Sequence, residues 1–316
     1  MSGMVLEFRA ALQVLLAEAA KAGYRFVPPT PETHRRVNAR KGNEEARDLT
    51  DIFGWSRPFA REILPPRLFE ALITAEVVAP RGPLWQSRLR IATLRNRFYL
   101  HSAYPTSNAN SVFFGPDTYR FVRAALQQLP VRHYQSVIDV CCGSGAGGLA
   151  FAAERSVDEL CLIDINPRAL TLAHANSLFQ SRRARIVESD LFNGVDGFAD
   201  LILANPPYLA DPGGRVYRDG GGQIGTGLSL KIIREGITHL RPGGILLVYT
   251  GTPIMGGKNL LSAAVEQILP AAGYLLETDE IDPDVFGEEL DHPSYAGVDR
   301  IAVMTVKLTR LRQDDS

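Results

Sequence analysis

Apolar residues recur at helical spacing along the first third of the chain and gather into short continuous runs along the rest. Between residues 5 and 22, Val5, Phe8, Leu12, Leu15, Leu16 and Ala19 share one helical face, and Gly23 can close the helix in the left-handed conformation. Pro28, Pro29 and Pro31 interrupt the chain. The polar stretch 34–51 reads as a surface helix or a mobile loop. Short helical patterns follow at 55–63 and 66–76, and residues 89–93 and 97–101 form a hairpin about Leu94-Arg95-Asn96.

After a Pro/Ser/Asn linker at 104–115 the pattern changes. Pro116 opens a helix reaching about residue 129, since proline suits the first helical turn. Short apolar runs then predict strands at 136–140, 159–163, 185–188, 200–204, 244–249, 274–281 and 301–308. Helical patterns at 147–153, 167–179, 228–240 and 259–269 separate most of them. Such alternation implies an α/β fold, a Rossmann-like doubly wound, mainly parallel seven-stranded sheet. The last two strands are joined by an Asp/Glu/Gly/Pro-rich stretch, 282–299, which suits a final antiparallel strand. Residues 1–110 are expected to form a smaller, mostly helical accessory or substrate-recognition domain with a β-hairpin, either a winged helix or a helical cap. Residues 111–316 carry the sheet.

Composition narrows the class. At 316 residues, with 45% hydrophobic and 22% charged positions, the chain reads as an ordinary globular protein of two domains. No apolar run reaches transmembrane length, and the short run 10–17, flanked by Glu7, Arg9 and Glu18, argues against a signal peptide. Cys141 and Cys142 are adjacent and Cys161 ends no ligand spacing, so a reduced, cytoplasmic protein without disulfide or zinc site is expected. The six histidines form no ligand spacing either. The net charge of −1 conceals an asymmetry of +6 over residues 1–110 and −7 over the remainder. Arg81, Arg88, Arg90, Arg95 and Arg97 have no acid between them, a stretch that suits phosphate or an acidic face, or a solvated surface.

Candidate chemistry gathers at strand ends. Asn205-Pro206-Pro207-Tyr208 follows the run 200–204, and the crevice outside strand carboxyl ends is where open α/β sheets bind ligands. Two prolines remove two amide donors and leave carbonyls and the Asn205 side-chain oxygen as acceptors, suited to an –NH2 group, with Tyr208 offering a flat face. The run ending at Asp139-Val140 leads into Cys141-Cys142-Gly143-Ser144-Gly145-Ala146-Gly147-Gly148 and a helix, where glycines let backbone approach a ligand. Gly143, Gly145 and Gly148 have dinucleotide spacing, and Asp164 at the next strand end can accept from ribose hydroxyls. An NAD-dependent dehydrogenase fits that loop. Acidic Asp139, the turn Ser189-Asp190-Leu191-Phe192 and the Asn205 tetrapeptide argue against it.

Together these elements resemble the class I S-adenosylmethionine-dependent methyltransferases, and the Asn-Pro-Pro-Tyr form resembles those that modify amide or amino nitrogens. The layout is similar to the release-factor glutamine methyltransferase family, with Pro116-Asp117-Thr118 before the sheet and the loop Gly220 to Leu228 after the tetrapeptide. Cys141 stands where that family usually has its first loop glycine, and Gly115 where it has arginine. The resemblance implies S-adenosylmethionine as cofactor. Gly143 and Gly145 would pack on its methionine part, with Cys141 alongside, and Asp139 beneath its amino group. Asp164 would hold its ribose, with Ile165 adjacent. Asp190 and Leu191 would flank its adenine. Asn205, Pro206 and Tyr208 would be catalytic, Asn205 also touching the cofactor, with Pro207, Tyr208 and Phe114 on the acceptor. No metal or covalent nucleophile is implied.

The favoured acceptor is a protein glutamine side chain. Alternatives are an exocyclic amino group of RNA or DNA, motivated by the charge of residues 1–110, and a small metabolite methylated at nitrogen or oxygen. A non-catalytic nucleotide-binding scaffold would have no need of Asn205 beside the cofactor carboxylates. No membrane partner is expected. Residues 286–295 fall near the expected acceptor mouth, where their carboxylates read as solvated charges or part of a lid; Phe113 and Phe114 read as cofactor entrance or linker anchor.

Overall fold

Five parallel strands bring their carboxyl ends to one edge, and that edge positions the site. The computed structural model describes residues 3–106, 108–210, 218–222 and 224–312; Ser107 of the linker, Gln223 of the glycine-rich loop and the side chain of Val5 lie outside the described residues. The N-terminal part contains α1 (Gly3–Lys21), α2 (Pro31–Asn38), α3 (Leu49–Phe53), α4 (Pro66–Thr74), β1 (Val78–Arg81), β2 (Leu84–Ser87), β3 (Leu89–Leu94) and β4 (Arg97–Ser102). Then come α5 (Pro116–Gln128), β5 (His133–Val140), α6 (Ala146–Glu154), β6 (Ser156–Asp164), α7 (Pro167–Phe179), β7 (Arg185–Glu188) and β8 (Ala199–Ala204). The chain closes with α8 (Gly227–Gly236), β9 (Leu240–Met255), β10 (Lys258–Asn259), α9 (Leu260–Ile268), β11 (Tyr274–Asp282) and β12 (Arg300–Arg310).

The main sheet has the order β11-β12-β9-β8-β5-β6-β7, with two-residue β10 paired onto β9. Strands β5 to β9 are parallel, whereas β12 runs antiparallel to both β9 and β11. Seven strands with one late antiparallel member is the expected architecture. From β5 the chain steps outward to β6 and β7, then crosses back to β8 on the other side. The strand order therefore reverses between β5 and β8, at the level where Val140 lies opposite both Ile163 and Ala204. Such a switch point opens a crevice at the strand ends.

Helices cover both sheet faces, which is why these strands read as continuous apolar runs. Val137, Leu201, Leu203 and Leu247 share a core with α5 and α6 residues such as Phe121 and Leu149. Their alternates Ile138, Ile202, Leu246 and Val248 share another with Ile232, Ile233 and Leu261 of α8 and α9. A third core joins Leu12, Leu15 and Leu16 of α1 to Phe53, Phe69, Ile91 and Leu100, and continues onto Ala169, Leu172 and Ala175 of α7. The N-terminal part is thus seated on a helix of the sheet. Fully buried Asn176 of α7 reinforces the join: it accepts from the Leu100 amide at 2.9 Å and donates to the carbonyls of Leu100 and Ser144 at 3.3 and 2.9 Å.

Several expectations need correction. The pattern at 55–63 is not an α-helix. Ser56 has a positive φ of 54° and Pro58 follows, so helix α3 forms earlier, where the Asp48 side chain accepts from the Asp51 amide. Between 34 and 51, helix α2 forms behind a Thr30 cap, with Pro31 at its start. The β1–β2 hairpin was masked in the sequence by Pro80, Gly82 and Pro83. Strand β9 continues past residue 249 to Met255, because β12 stays paired with it beyond the apolar run, through Gly251 and Pro253. The β3–β4 turn places Arg95 and Asn96 at φ 48° and 61°, the geometry a two-residue hairpin requires.

Candidate active site

A cavity of about 640 Å³ lies over the ends of β5, β6 and β8, with Pro31, Tyr104 and Pro105 of the N-terminal part contributing to its wall. Asp139, Cys141, Gly143, Asp164, Ile165, Asp190, Leu191, Asn205, Pro206, Pro207, Tyr208 and Phe114 all line it. Gly145 lies just behind, as N-cap of α6. The structure therefore brings the sequence-predicted site residues together.

The loop after β5 is wound by positive φ angles at Cys141 (55°), Gly143 (54°) and Gly145 (78°). Cys141 thus occupies a conformation that favours glycine. Beyond the loop, a Cβ on Gly147 would lie 2.4 Å from Phe121 Cε1 and 3.1 Å from Asp139 Oδ2. The close approach leaves the Asp139 carboxylate against the helix start, where Oδ2 accepts from the Gly148 amide at 2.7 Å. Burial raises the Asp139 carboxyl to about 7, opposed by that amide.

Asp164 is organised by its own loop. Its Oδ2 accepts from the Gly143 amide at 2.8 Å and its Oδ1 from the Asn166 amide at 2.9 Å. Burial pushes this carboxyl up too, while backbone amides hold it down. Asn166 caps α7 and donates from Nδ2 to the Asn110 carbonyl, fastening the linker to the site. Ile165 is 54% exposed, a large apolar side chain left at the cavity mouth. Asp190 is near the outside, 3.4 Å through either oxygen from Lys231 Nζ, followed by Leu191 at φ 51°. Ser144 Oγ is buried in the lining without a hydrogen-bond partner among the described residues. A buried carboxylate, a half-buried one, an orphaned hydroxyl and exposed Ile165 fit an aminoacyl nucleoside: the carboxylates suit ammonium and ribose hydroxyls, the apolar edge a base.

The acceptor side is built differently. Asn205 follows β8 half-buried, and among the described residues nothing engages its side-chain amide. Tyr208 is 7% exposed and donates its hydroxyl to Asp117 Oδ2 at 2.8 Å. Its ring rests on Gly251, where a Cβ would lie 2.2 Å from Tyr208 Cδ2, and meets Phe286 edge-on at 6.0 Å. Downstream, Gly220 donates to the Leu209 carbonyl at 2.8 Å, folding the glycine-rich loop back beside the tetrapeptide. Residues 286–295 reach over this end: Tyr295 accepts from the Ala210 amide through its hydroxyl at 2.9 Å, and Arg218 pairs with Glu289. That pairing corrects the reading of Glu289 as a solvated charge, since Arg218 lies on the segment that Glu289 covers. Phe114 is only 1% exposed, packed among Tyr99, His101 and Tyr119, so it is a wall residue with little surface for a ligand.

The arginine stretch divides: Arg90 is buried and donates to the Ser102 carbonyl, whereas Arg81, Arg88 and Arg95 are exposed and Arg97 half-buried, as a solvated surface would be, with Arg95 paired to Glu154 and Arg88 3.5 Å from Glu76. Gly115 leaves no room for a larger residue, because a Cβ there would lie 2.5 Å from Phe113 Cζ. Burial pushes the thiols of Cys141 and Cys142 well up, which keeps both protonated and poor nucleophiles at neutral pH. No group of three or more metal-binding side chains is found among the described residues, and no described helix is long and apolar enough to cross a membrane. Sequence reasoning missed Asn166, Asn176, Ser144 and the anchoring contacts of Asp117; only Asp117 had a signal, through the Pro-acid-Thr segment.

Known proteins match the same region. Residues 122–273 match the family model of the methyltransferase small domain. The release factor glutamine methyltransferase of Deinococcus radiodurans is 31% identical over 194 residues, covering 58% of this chain and 66% of its own. That of Borreliella burgdorferi is 28% identical over 144 residues, covering 42% and 50%. The chain thus spans half to two thirds of the length of these relatives. Among solved structures, Trm5b from Pyrococcus abyssi superposes with a TM-score of 0.51 at 14% identity, over 74% of this chain and 62% of that one, a likeness of fold. Residues 122–273 form a class I S-adenosylmethionine-dependent methyltransferase domain, and the chain resembles the release factor glutamine methyltransferase family.

Proposed function

We propose that this chain transfers a methyl group from S-adenosylmethionine to a planar amide or amino nitrogen, and that its acceptor is a protein glutamine side chain. The observation that carries the reading is Asn205: a carboxamide at the β8 end with no partner among the described residues, sharing one cavity with Asp139 and Asp164. S-adenosylmethionine supplies a methyl already activated on a sulfonium sulfur. The chain then needs only to hold and align. Asp139 receives the ammonium of the methionine part, Asp164 the ribose hydroxyls, and Ile165, Asp190 and Leu191 border the base. The Asn205 side-chain oxygen and the Pro206 carbonyl accept the two hydrogens of the target –NH2, turning its lone pair toward the methyl. Tyr208 and Pro207 face the plane of the acceptor. With the cofactor held there, Asn205 and Pro206 would keep the acceptor nitrogen in line with the methyl it supplies, and the surplus proton of that nitrogen would pass to solvent. Residues 1–110 serve as the acceptor-recognition part, supported by Pro31 and Tyr104 in the cavity wall. The three free cysteines suit a reducing, cytoplasmic setting.

A second reading, an exocyclic amino group of RNA or DNA, is favoured by the +6 charge of residues 1–110. Its support is reduced at Arg90, which is buried, whereas Arg88 and Arg95 stay exposed beside Glu76 and Glu154. Incubation with methyl-labelled S-adenosylmethionine and either a release factor or total RNA separates the two. Label on a glutamine supports the first reading, label on a base the second. Calorimetric binding of NAD, with none of S-adenosylmethionine, would overturn both.

A further inference from the structure

One carboxylate ties together parts of the chain that are remote in sequence. Asp117 lies in the first turn of α5 and is 7% exposed. Its Oδ2 accepts from the Tyr208 hydroxyl at 2.8 Å, and its Oδ1 accepts from the Tyr249 hydroxyl at 3.0 Å and from Arg120 Nη1 at 3.1 Å. Burial and the neighbouring carboxylate push the Tyr208 phenol well up, so it keeps the proton that it donates. The two arms differ in where they lead. Tyr249 points from strand β9 into the core, whereas Tyr208 belongs to the turn that carries Asn205.

Three contacts fix the Tyr208 ring: Gly251 under it, Phe286 at its edge and Asp117 on its hydroxyl. The first two are apolar and tolerate sliding. A charge-assisted hydrogen bond is directional, and it sets the angle at which the ring stands. Without it, a buried phenol has to turn toward another acceptor.

We propose that Asp117 is a positioning residue for methyl transfer, holding the Tyr208 hydroxyl so that the ring presents a fixed face to the acceptor beside Asn205. The inference rests on the reading of Asn205 to Tyr208 as the acceptor site. Its geometric half does not need the acceptor to be known. With 3-fluorotyrosine placed at position 208 of the full chain, fluorine NMR should give one narrow resonance. Asp117→Asn should broaden or split it, because a carboxamide has one acceptor oxygen where the carboxylate has two, and the Tyr208 and Tyr249 hydroxyls then compete for it. Tyr249→Phe should leave it single.

With a release factor as acceptor, Asp117→Asn and Tyr208→Phe should each lower kcat about tenfold or more while the KM for S-adenosylmethionine stays within about twofold. The double variant should fall no further than either single one, and Asp117→Glu should recover part of the loss. An unshifted, narrow resonance in Asp117→Asn, or additive losses in the double variant, would overturn the proposal. If Asp117→Asn does not fold, Tyr208→Phe decides alone, and native kcat in that variant sinks the idea. Absence of transfer by the wild type would instead count against the acceptor reading, while the resonance still decides the role of Asp117.

Discussion

The two ends of the cavity are built by opposite means. On the cofactor side, the hydrogen bonds that hold the two carboxylates join residues 9, 21 and 2 positions apart: Gly148 to Asp139, Gly143 to Asp164, and Asn166 to Asp164. Two adjoining strand-loop-helix units contain all three. On the acceptor side, Tyr208 reaches Asp117 across 91 positions, Tyr249 reaches it across 132, Ala210 reaches Tyr295 across 85, and Arg218 reaches Glu289 across 71. A locally closed site can be kept while its surroundings vary. A site assembled from distant segments changes whenever one of them does, so acceptor choice is expected to reside in that half.

Variants confined to one end should therefore leave the other intact. Asn205→Ala has the largest expected effect: turnover falls by about a thousandfold, on the scale of removing one fixed hydrogen-bonding group from an acyl-transfer site. Affinity for S-adenosylmethionine stays within about tenfold, measured by titration of the same sample. Near-normal turnover would remove Asn205 from the reaction. Asp164→Ala should do the reverse, weakening cofactor binding by about 10- to 100-fold through lost hydrogen bonds to a charged group and two released backbone amides. Unchanged affinity would take Asp164 out of the cofactor site.

A pair of glycines sharpens the contrast at smaller amplitude. Gly251→Ala forces the Tyr208 ring aside, since the new methyl would lie 2.2 Å from it. The expected result is about a tenfold loss of kcat with cofactor affinity within about twofold. Gly147→Ala instead crowds Phe121 and Asp139 and should weaken cofactor binding first. Calorimetry and single-turnover rates on both variants distinguish the outcomes; equal effects of the two on binding would mean that the cavity ends are not independent.

The same local-versus-distant division explains what the sequence could disclose. Strands β5, β6 and β8 were legible because their carboxyl halves are buried on both faces and each run is continuous, and Asp139, Asp164 and Asn205 were legible because strand ends are where such runs stop. Strand β9 was cut short because Thr250, Gly251 and Pro253 break the apolar run, although pairing with β12 carries it onward. Nothing periodic marks Gly251 as the seat of Tyr208, or Asn176 as the tie between β4 and Ser144. Those are pairings across tens of residues. The arginine stretch was legible as a solvated surface except at Arg90, because a run of like charges carries no sign of which member is buried.

Asp139 offers the smallest expected effect, one whose sign differs between ligand-free and cofactor-bound protein. Its folded carboxyl is raised to about 7, above the ordinary value of 3.8, because burial disfavours the charge. A raised folded value means that the folded chain holds a proton the unfolded chain has lost. The stability this confers is complete below about pH 4 and is lost as the pH rises through about 7. Cofactor binding has the opposite slope if the ammonium of the methionine part sits on the ionised carboxylate. Lowering the pH from 8 to 6 should then weaken S-adenosylmethionine by up to about tenfold, one proton being taken up as the ligand leaves. Asp139→Asn should flatten both slopes. Melting temperatures of wild type and variant at the two pH values, with and without S-adenosylmethionine, test the assignment: a cofactor-induced stabilisation that is the same at pH 6 and pH 8 in the wild type would place the ammonium elsewhere.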